Sequence, residues 1–268
     1  MTGGHDNFIT PAKSGAGDAV PARTEYCRVH RDDPVSIAHL RRIYETSYPE
    51  LFPDPALREN WEQWEYYLDH AAEENFFILA GENISDPERA IIHGFIIGAY
   101  FEASQTGLLC YVGVHKTARK DGVASALVAR LTAAMDAHAQ SLGCRLKGLF
   151  AEANDPAQIA PDEDCIPPAT RLKIYARWQA LQVPVSYVCP SLHSPWRKEG
   201  RLVLLSLPVF GGYAGPDDIV AMLGDYYRAA ELTPETDRDF IHLREEIEDW
   251  RGYLSLAHYD PQPAHHPA

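Results

Sequence analysis

The chain has 268 residues, 46% hydrophobic and 23% charged, a composition that supports a folded core and excludes wholesale disorder. Its 24 Lys and Arg against 38 Asp and Glu leave a net charge of −14, with no long basic run. That field argues against nucleic acid as a partner and favours cationic or amine-bearing small molecules. Five widely spaced cysteines (Cys27, Cys110, Cys144, Cys165, Cys189) contain no Cys-x-x-Cys pair, which points to reduced thiols in a cytoplasmic protein. No apolar run approaches the roughly 20 residues of a membrane helix, so no membrane partner is expected.

Residues 1–23 are rich in Gly, Ala and Pro, and 258–268 in Pro and His, so both read as disordered tails. The His265-His266 pair in the second tail is read as floppy chain rather than as a metal site. Thr24 to His30 alternates as a first strand. Asp33-Pro34 opens a helix with a capping carboxylate and a first-turn proline, and Ile37, Leu40, Ile43 and Tyr44 form its apolar face. Ser47 to Pro53 breaks it. Trp61 to Ala72 is a second helix. Phe76–Ala80 and Ala90–Phe101 are joined by turn residues and predict an antiparallel hairpin. Leu108–Val114 is a further strand, and Gly122–Leu142 a helix stopped by Gly143. Leu146–Ala153 (strand), Pro168–Leu181 (helix), and the strand pair Val183–Val188 and Leu202–Val209 complete the order. From Pro216 to Trp250 the chain turns helical and acidic, with eleven Asp/Glu against three Arg; a solvated helical face is expected there rather than a cation site. This alternation predicts a mixed sheet covered by helices.

The segment from Leu108 to Val128 runs from an apolar strand through the turn Arg119-x-x-Gly122-x-Ala124 into an Ala-rich helix. A strand-to-helix turn of this kind aims free backbone N–H groups and the positive helix end at one point, where a pyrophosphate can sit. On spacing alone an ordinary tight turn competes with that reading, since neither a GxxxxGK[ST] nor a GxGxxG pattern is present.

Val-x-x-x-x-Arg-x-x-Gly-x-Ala, from Val114 to Ala124, resembles the acetyl-CoA signature of the GNAT superfamily of N-acetyltransferases, with bacterial members of uncharacterised substrate sharing further features. Ile43-Tyr44-Glu45-x-Ser47-Tyr48-Pro49 is similar to that family's first helix and substrate loop. Arg171-Leu172-x-x-Tyr175 resembles the helix whose tyrosine faces the CoA sulfur, and Tyr187-Val188-Cys189-Pro190-Ser191-Leu192 a Tyr-x-x-Pro-x-Leu patch of some bacterial members. The resemblance implies the GNAT fold: α/β, α+β layered, with a mixed, mostly antiparallel central sheet flanked by helices and followed by a C-terminal helical appendage. It divides the chain into an acyl-CoA-binding catalytic domain over 24–210 and an acidic helical extension over 211–257 packed on the same domain.

Function and site follow from the same resemblance. The implied activity is transfer of acetyl from acetyl-CoA, as co-substrate and without metal, to a primary amine of a small, cationic molecule by direct attack in a ternary complex. The implied CoA-binding residues are Val112, Gly113 and Val114 at the strand end, Arg119, and the turn amides of Lys120, Asp121, Gly122, Val123, Ala124 and Ser125. Tyr175 matches the acid that protonates the leaving thiolate. An alkyl ammonium, with a pKa of about 10.4, is neutral only about once in 2,500 molecules at pH 7, so a base is needed as well. Where many relatives carry a glutamate this chain has Leu109, Cys110 and Tyr111. Glu152 is the preferred substitute, Glu102 the second, and a water chain the third; Cys110 has no identifiable His partner for a nucleophilic role. Tyr48, Phe52, Trp61 and Trp64 with Glu45, Glu50 and Glu62 fall in the acceptor region, although the tryptophans suit the core. Asp162-Glu163-Asp164-Cys165 is a candidate entrance loop or a plain solvated one. The alternative function is a catalytically silent CoA-binding sensor or interaction module. A homodimer is compatible with either.

Overall fold

Asp33 accepts a hydrogen bond from the Val35 N–H at 3.1 Å and caps α1 (Pro34–Glu45), with Pro34 in the first turn where its missing N–H costs nothing. The chain is seen in a computed structural model that describes residues 24–70, 74–190 and 198–256. The two expected tails, the His265-His266 pair, Ala72, Ser191 and Leu192 lie outside the described residues. After α1 the expected break is only partial. Ser47–Leu51 winds a second short helix, α2, then a one-turn 3-10 helix covers Pro55–Leu57 before α3 (Trp61–His70).

The sheet has eight strands in the order β1-β2-β3-β4-β5-β7-β6-β8. β1 (Glu25–Arg28), β2 (Asn75–Glu82), β3 (Ile91–Phe101) and β4 (Thr106–Val114) form an antiparallel run that includes the expected hairpin. A crossover through α4 (Val123–Ser141) brings β5 (Gly148–Asn154) parallel to β4. β5 pairs antiparallel with β7 (Leu202–Leu207), β7 with β6 (Leu181–Gln182), and β6 with β8 (Leu254–Ser255). α5 (Pro168–Arg177) ends before Leu181, because Gln179 takes a left-handed conformation at φ 61° and turns the chain into β6.

The strand expected at Val183–Val188 is not formed. Pro184 has no N–H to give a ladder, and the chain instead folds through tight bonds from Val185 N–H to Val183 and from Tyr187 N–H to Val185. The acidic segment holds two helices, α6 (Pro216–Ala229) and α7 (Arg238–Glu248).

One face of the sheet is closed by α4 and α5, with Leu127, Leu131, Met135 and Leu172 packed on residues of β2–β5 and β7. The other face carries two separate helical layers. α1–α3 cover the β1–β4 half through Leu40, Ile43 and Trp64. α6 and α7 cover β4, β5 and β7, setting Ile219, Met222, Leu223 and Tyr227 against Leu108, Phe150 and Leu204. Several acids of this segment are tied into the fold: Glu246 accepts from Ser186, and Asp237 and Asp239 each lie 2.6 Å from the Lys198 ammonium. The gap between the two layers lies over β4. Leu223 is fully buried in this interface, so Leu223→Ala is expected to lower unfolding stability by roughly 2–5 kcal/mol, with α6 and the sheet melting in one urea transition followed by circular dichroism and tryptophan fluorescence.

Candidate acyl-transfer site

β4 and β5 are paired from Thr106–Gly148 to Leu109–Ala151 and then part. Beyond that point β4 stays with β3 as far as Val114, and β5 stays with β7 as far as Asn154. The parting coincides with an irregularity. The β3 register steps from Ile97–Tyr111 to Gly98–Leu109, which leaves Cys110 as an extra residue in β4. Such a bulge bends the strand and increases its twist. It also puts Cys110 and Tyr111 toward the same helical layers. Past the bulge, the backbone groups of β4 that would face β5 have lost their strand partner, and buried backbone groups require one. Gly113 fits here because a Cβ would meet the Phe95 ring at 2.6 Å and Leu51 at 2.7 Å.

β4 leads into the basic turn. Lys120 (φ 76°) and Gly122 (φ 73°) are left-handed, and Gly122 sits at the N-cap of α4 without a side-chain cap. The amides of Val123, Ala124 and Ser125 in the first turn therefore await an acceptor. Together with the alternating backbone they form an anion-binding concavity at the positive helix end. Arg119 is exposed and donates from Nε to the Val114 carbonyl at 3.3 Å, bracing the turn on the strand. Asp121 is half-buried and Val123 buried. Trp178 follows directly on α5, and its Nε1 donates to Ser125 Oγ at 3.0 Å, which links α5 to the same helix start.

A cavity of about 770 Å³ opens between the two helical layers and reaches the parted strands at Val112, Ala153 and Asn154. Its lining includes eight carboxylate residues and one cation, Arg171. Some of these acids are neutralised. Arg171 holds Asp164 at 2.6 Å and keeps its carboxyl below the usual range, and Arg201 lies against Glu199, Asp54 and Glu163 at 2.8, 3.9 and 3.9 Å. The expected entrance loop thus contributes Glu163 and Asp164 to the wall.

Glu152 faces this cavity from β5. Burial raises its carboxyl above the usual value, opposed by hydrogen bonds from Tyr187 (2.5 Å) and Tyr226 (3.4 Å). Tyr187 is held in turn by α6 and α7, since Tyr227 donates to the Val188 carbonyl and Glu246 accepts from Ser186. Tyr175 lines the cavity from α5, and burial pushes its hydroxyl up to about 12, with Arg171 lowering it and Glu152 raising it. The Cys110 thiol is held well above its usual value by burial and by the charges of Glu59 and Glu152. A thiol so held is not a thiolate nucleophile.

Other sequence candidates lie elsewhere. Glu102 is exposed on the β3–β4 turn, away from the cavity lining. Glu45, Glu50 and Glu62 are exposed, and Tyr48, Trp61 and Trp64 are buried in an aromatic cluster, with Tyr48 and Trp64 rings 4.7 Å apart. Phe52 alone of that group lines the cavity.

The residue that sequence reasoning missed is Glu59. It lies just before α3, 7% exposed, and turns its carboxylate inward to accept from Trp64 Nε1 at 2.9 Å and the Tyr67 hydroxyl at 3.0 Å. Burial pushes its carboxyl up to about 7. The available signal was Trp64 and Tyr67, three apart on one helix face, both bearing donors in an otherwise apolar stripe. Among the described residues no group of three or more His, Cys, Asp or Glu is arranged to hold a metal. Nor, among them, is any helix long and apolar enough to cross a membrane.

Residues 37–160 match the family model described as "Acetyltransferase (GNAT) family". That segment runs from α1 past β5, so over this part the chain is similar to the GNAT acetyltransferases, and the eight-stranded mixed sheet flanked by helices agrees with the architecture the resemblance implies. Similar solved structures include a GNAT-family acetyltransferase from Bacteroides thetaiotaomicron, at 14% identity and TM-score 0.48, covering 69% of this chain and 88% of that one. An aminoglycoside 6'-N-acetyltransferase complexed with coenzyme A is 14% identical with a TM-score of 0.45 and coverages of 69% and 98%. An Arabidopsis thaliana protein in complex with acetyl-CoA is 14% identical with a TM-score of 0.43 and coverages of 70% and 99%. No curated protein sequence matches the chain.

The Glu59 carboxyl has a testable signature. A carboxyl raised from 4.5 to about 7 on folding is protonated in both states at low pH and carries a penalty once ionised. Wild-type stability is therefore lost as pH rises from about 4.5 through about 7. Relative to wild type, Glu59→Gln is expected to gain roughly 3 kcal/mol between pH 5 and pH 8, read from urea unfolding at each pH.

Proposed function

We propose that this chain is an N-acyltransferase that moves acetyl from acetyl-CoA to a primary amine of a small, cationic molecule by direct attack in a ternary complex. One observation carries the reading. β4 parts from β5 and runs on to the turn at the uncapped start of α4, and the parted strands open onto an acidic cavity whose wall bears both Glu152 and Tyr175.

Acetyl-CoA supplies the activated thioester. The amides from Lys120 to Ser125, with Arg119 beside them, suit its pyrophosphate. Val112, Gly113 and Val114 offer strand backbone to its pantetheine arm and thioester carbonyl. One preorganised donor at a developing oxyanion is worth roughly 3–4 kcal/mol in other acyl-transfer enzymes. The acidic cavity draws in an ammonium, and Glu152 accepts its proton; the raised carboxyl is a better base than an exposed glutamate. The amine nitrogen then forms the bond to the acyl carbon as the carbon–sulfur bond breaks. Tyr175, neutral at physiological pH with its hydroxyl at about 12, donates its proton to the sulfur and is reset by the second proton, which the nitrogen gives up as the amide forms, while the proton held by Glu152 passes to solvent. The products are the amide and free CoA thiol.

The test is amine-dependent release of CoA thiol across a panel of primary amines. Tyr175→Phe is expected to lower kcat roughly 100-fold or more. In wild type, kcat/KM rises with pH through the raised Glu152 ionisation, and Glu152→Gln removes that limb. Wild-type rates in both variants would overturn the assignment. Binding of acetyl-CoA without transfer to any amine would leave a silent CoA-binding module.

A further inference from the structure

We propose that the acceptor carries two amino groups, and that Glu59 binds the second ammonium while the first reacts between Glu152 and Tyr175. The inference deepens the acyl-transfer reading and rests on it for the position of the reacting amine.

Three carboxylates lie deep in the cavity wall, and they differ in their partners. Asp164 is neutralised by Arg171 at 2.6 Å and also accepts from Asn154 at 2.9 Å. Glu152 and Glu59 accept only from neutral groups: Tyr187 and Tyr226 for the first, Trp64 and Tyr67 for the second. Among the described residues, no Lys, Arg or His comes within ion-pair distance of either one. A buried carboxylate with neutral donors alone is less stable than in water, and buried charges are elsewhere paired. Both of these face a cavity large enough for a ligand, so their counter-ions can come from the ligand.

One ammonium satisfies one of them and leaves the other unneutralised. Glu59 lies under α3 and Glu152 on β5, with the β4 bulge between them; the Cys110 thiol on that bulge feels the charge of both. Ala99, Leu108 and Cys110 supply an uncharged floor, which suits a methylene spacer. At the Glu59 end, Tyr67, Phe52 and Tyr111 present rings that favour a bound cation. The titratable groups facing Glu59 are Tyr67 on α3, Tyr48 on α2, and Tyr111 and Cys110 on β4.

The experiment is calorimetric titration of linear α,ω-diaminoalkanes and length-matched monoaminoalkanes into the full chain, with and without saturating CoA. The expected result is at least one diamine bound roughly thirtyfold or more tightly than its matched monoamine. That ratio collapses toward one in Glu59→Gln. At about pH 6, where the raised Glu59 carboxyl is largely protonated, wild type should expel a proton on binding diamine that the variant does not; this is read from titrations in buffers of different ionisation enthalpy. Proton expulsion and the wild-type ratio carry the test even if Glu59→Gln fails to fold. A wild-type ratio near one, or an undiminished ratio in the folded variant, overturns the inference. Failure of CoA itself to bind would instead count against the acyl-transfer reading, and the CoA-free titrations still read the diamine site.

Discussion

The rest of the molecule depends on the parting of β4 from β5 after Leu109 and Ala151. A parallel pair of strands ordinarily buries all its ladder groups between covering helices. Here the bulge at Cys110 bends β4 away, so one strand edge is free inside the fold and not at its rim. The two helical layers on that face then cannot meet. α1–α3 follow the β1–β4 half and α6–α7 follow the β5–β7 half, and the space between them is the cavity. The turn into α4 follows the end of the same bent strand.

That arrangement has an energetic cost. The carboxylates of Glu59 and Glu152 are taken out of water without cations, and burial raises both carboxyls. A fold selected for stability alone would pair them, as Arg171 pairs Asp164. A ligand that binds the native state and supplies the missing charge recovers that cost through mass action. The C-terminal helices share in this. Tyr226 donates to Glu152 directly, and Tyr227 and Glu246 fix the segment that carries Tyr187.

Much of the scaffold was legible because it follows local rules. Asp33-Pro34 is a cap and first turn, Gly143 a helix stop at φ 79°, and the Asn/Ser/Asp/Pro stretch after β2 a turn between two apolar runs. The Arg119–Ala124 stretch was legible as a strand-to-helix turn, with Gly122 at the start of α4. Val183–Val188 misled because apolar residues there satisfy the strand pattern while Pro184 prevents the ladder and the backbone closes tight turns instead. Of the aromatics expected to face a substrate, only Phe52 lines the cavity. Tyr48, Trp61 and Trp64 have the right chemistry, but their helical spacing packs them together, and burial of Glu59 arises from a contact between a loop and the helix that follows it. No periodicity encodes which glutamate turns inward.

The central claim is that the α4 turn and the parted strands form a CoA site, and calorimetric titration of acetyl-CoA into the full chain tests it most directly, with Gly122→Trp as the comparison. The account predicts saturable one-to-one binding that the tryptophan abolishes, since its side chain would fill the cradle at a left-handed position that disfavours any side chain. Absence of binding at millimolar ligand, or binding that survives the substitution unchanged, would contradict it.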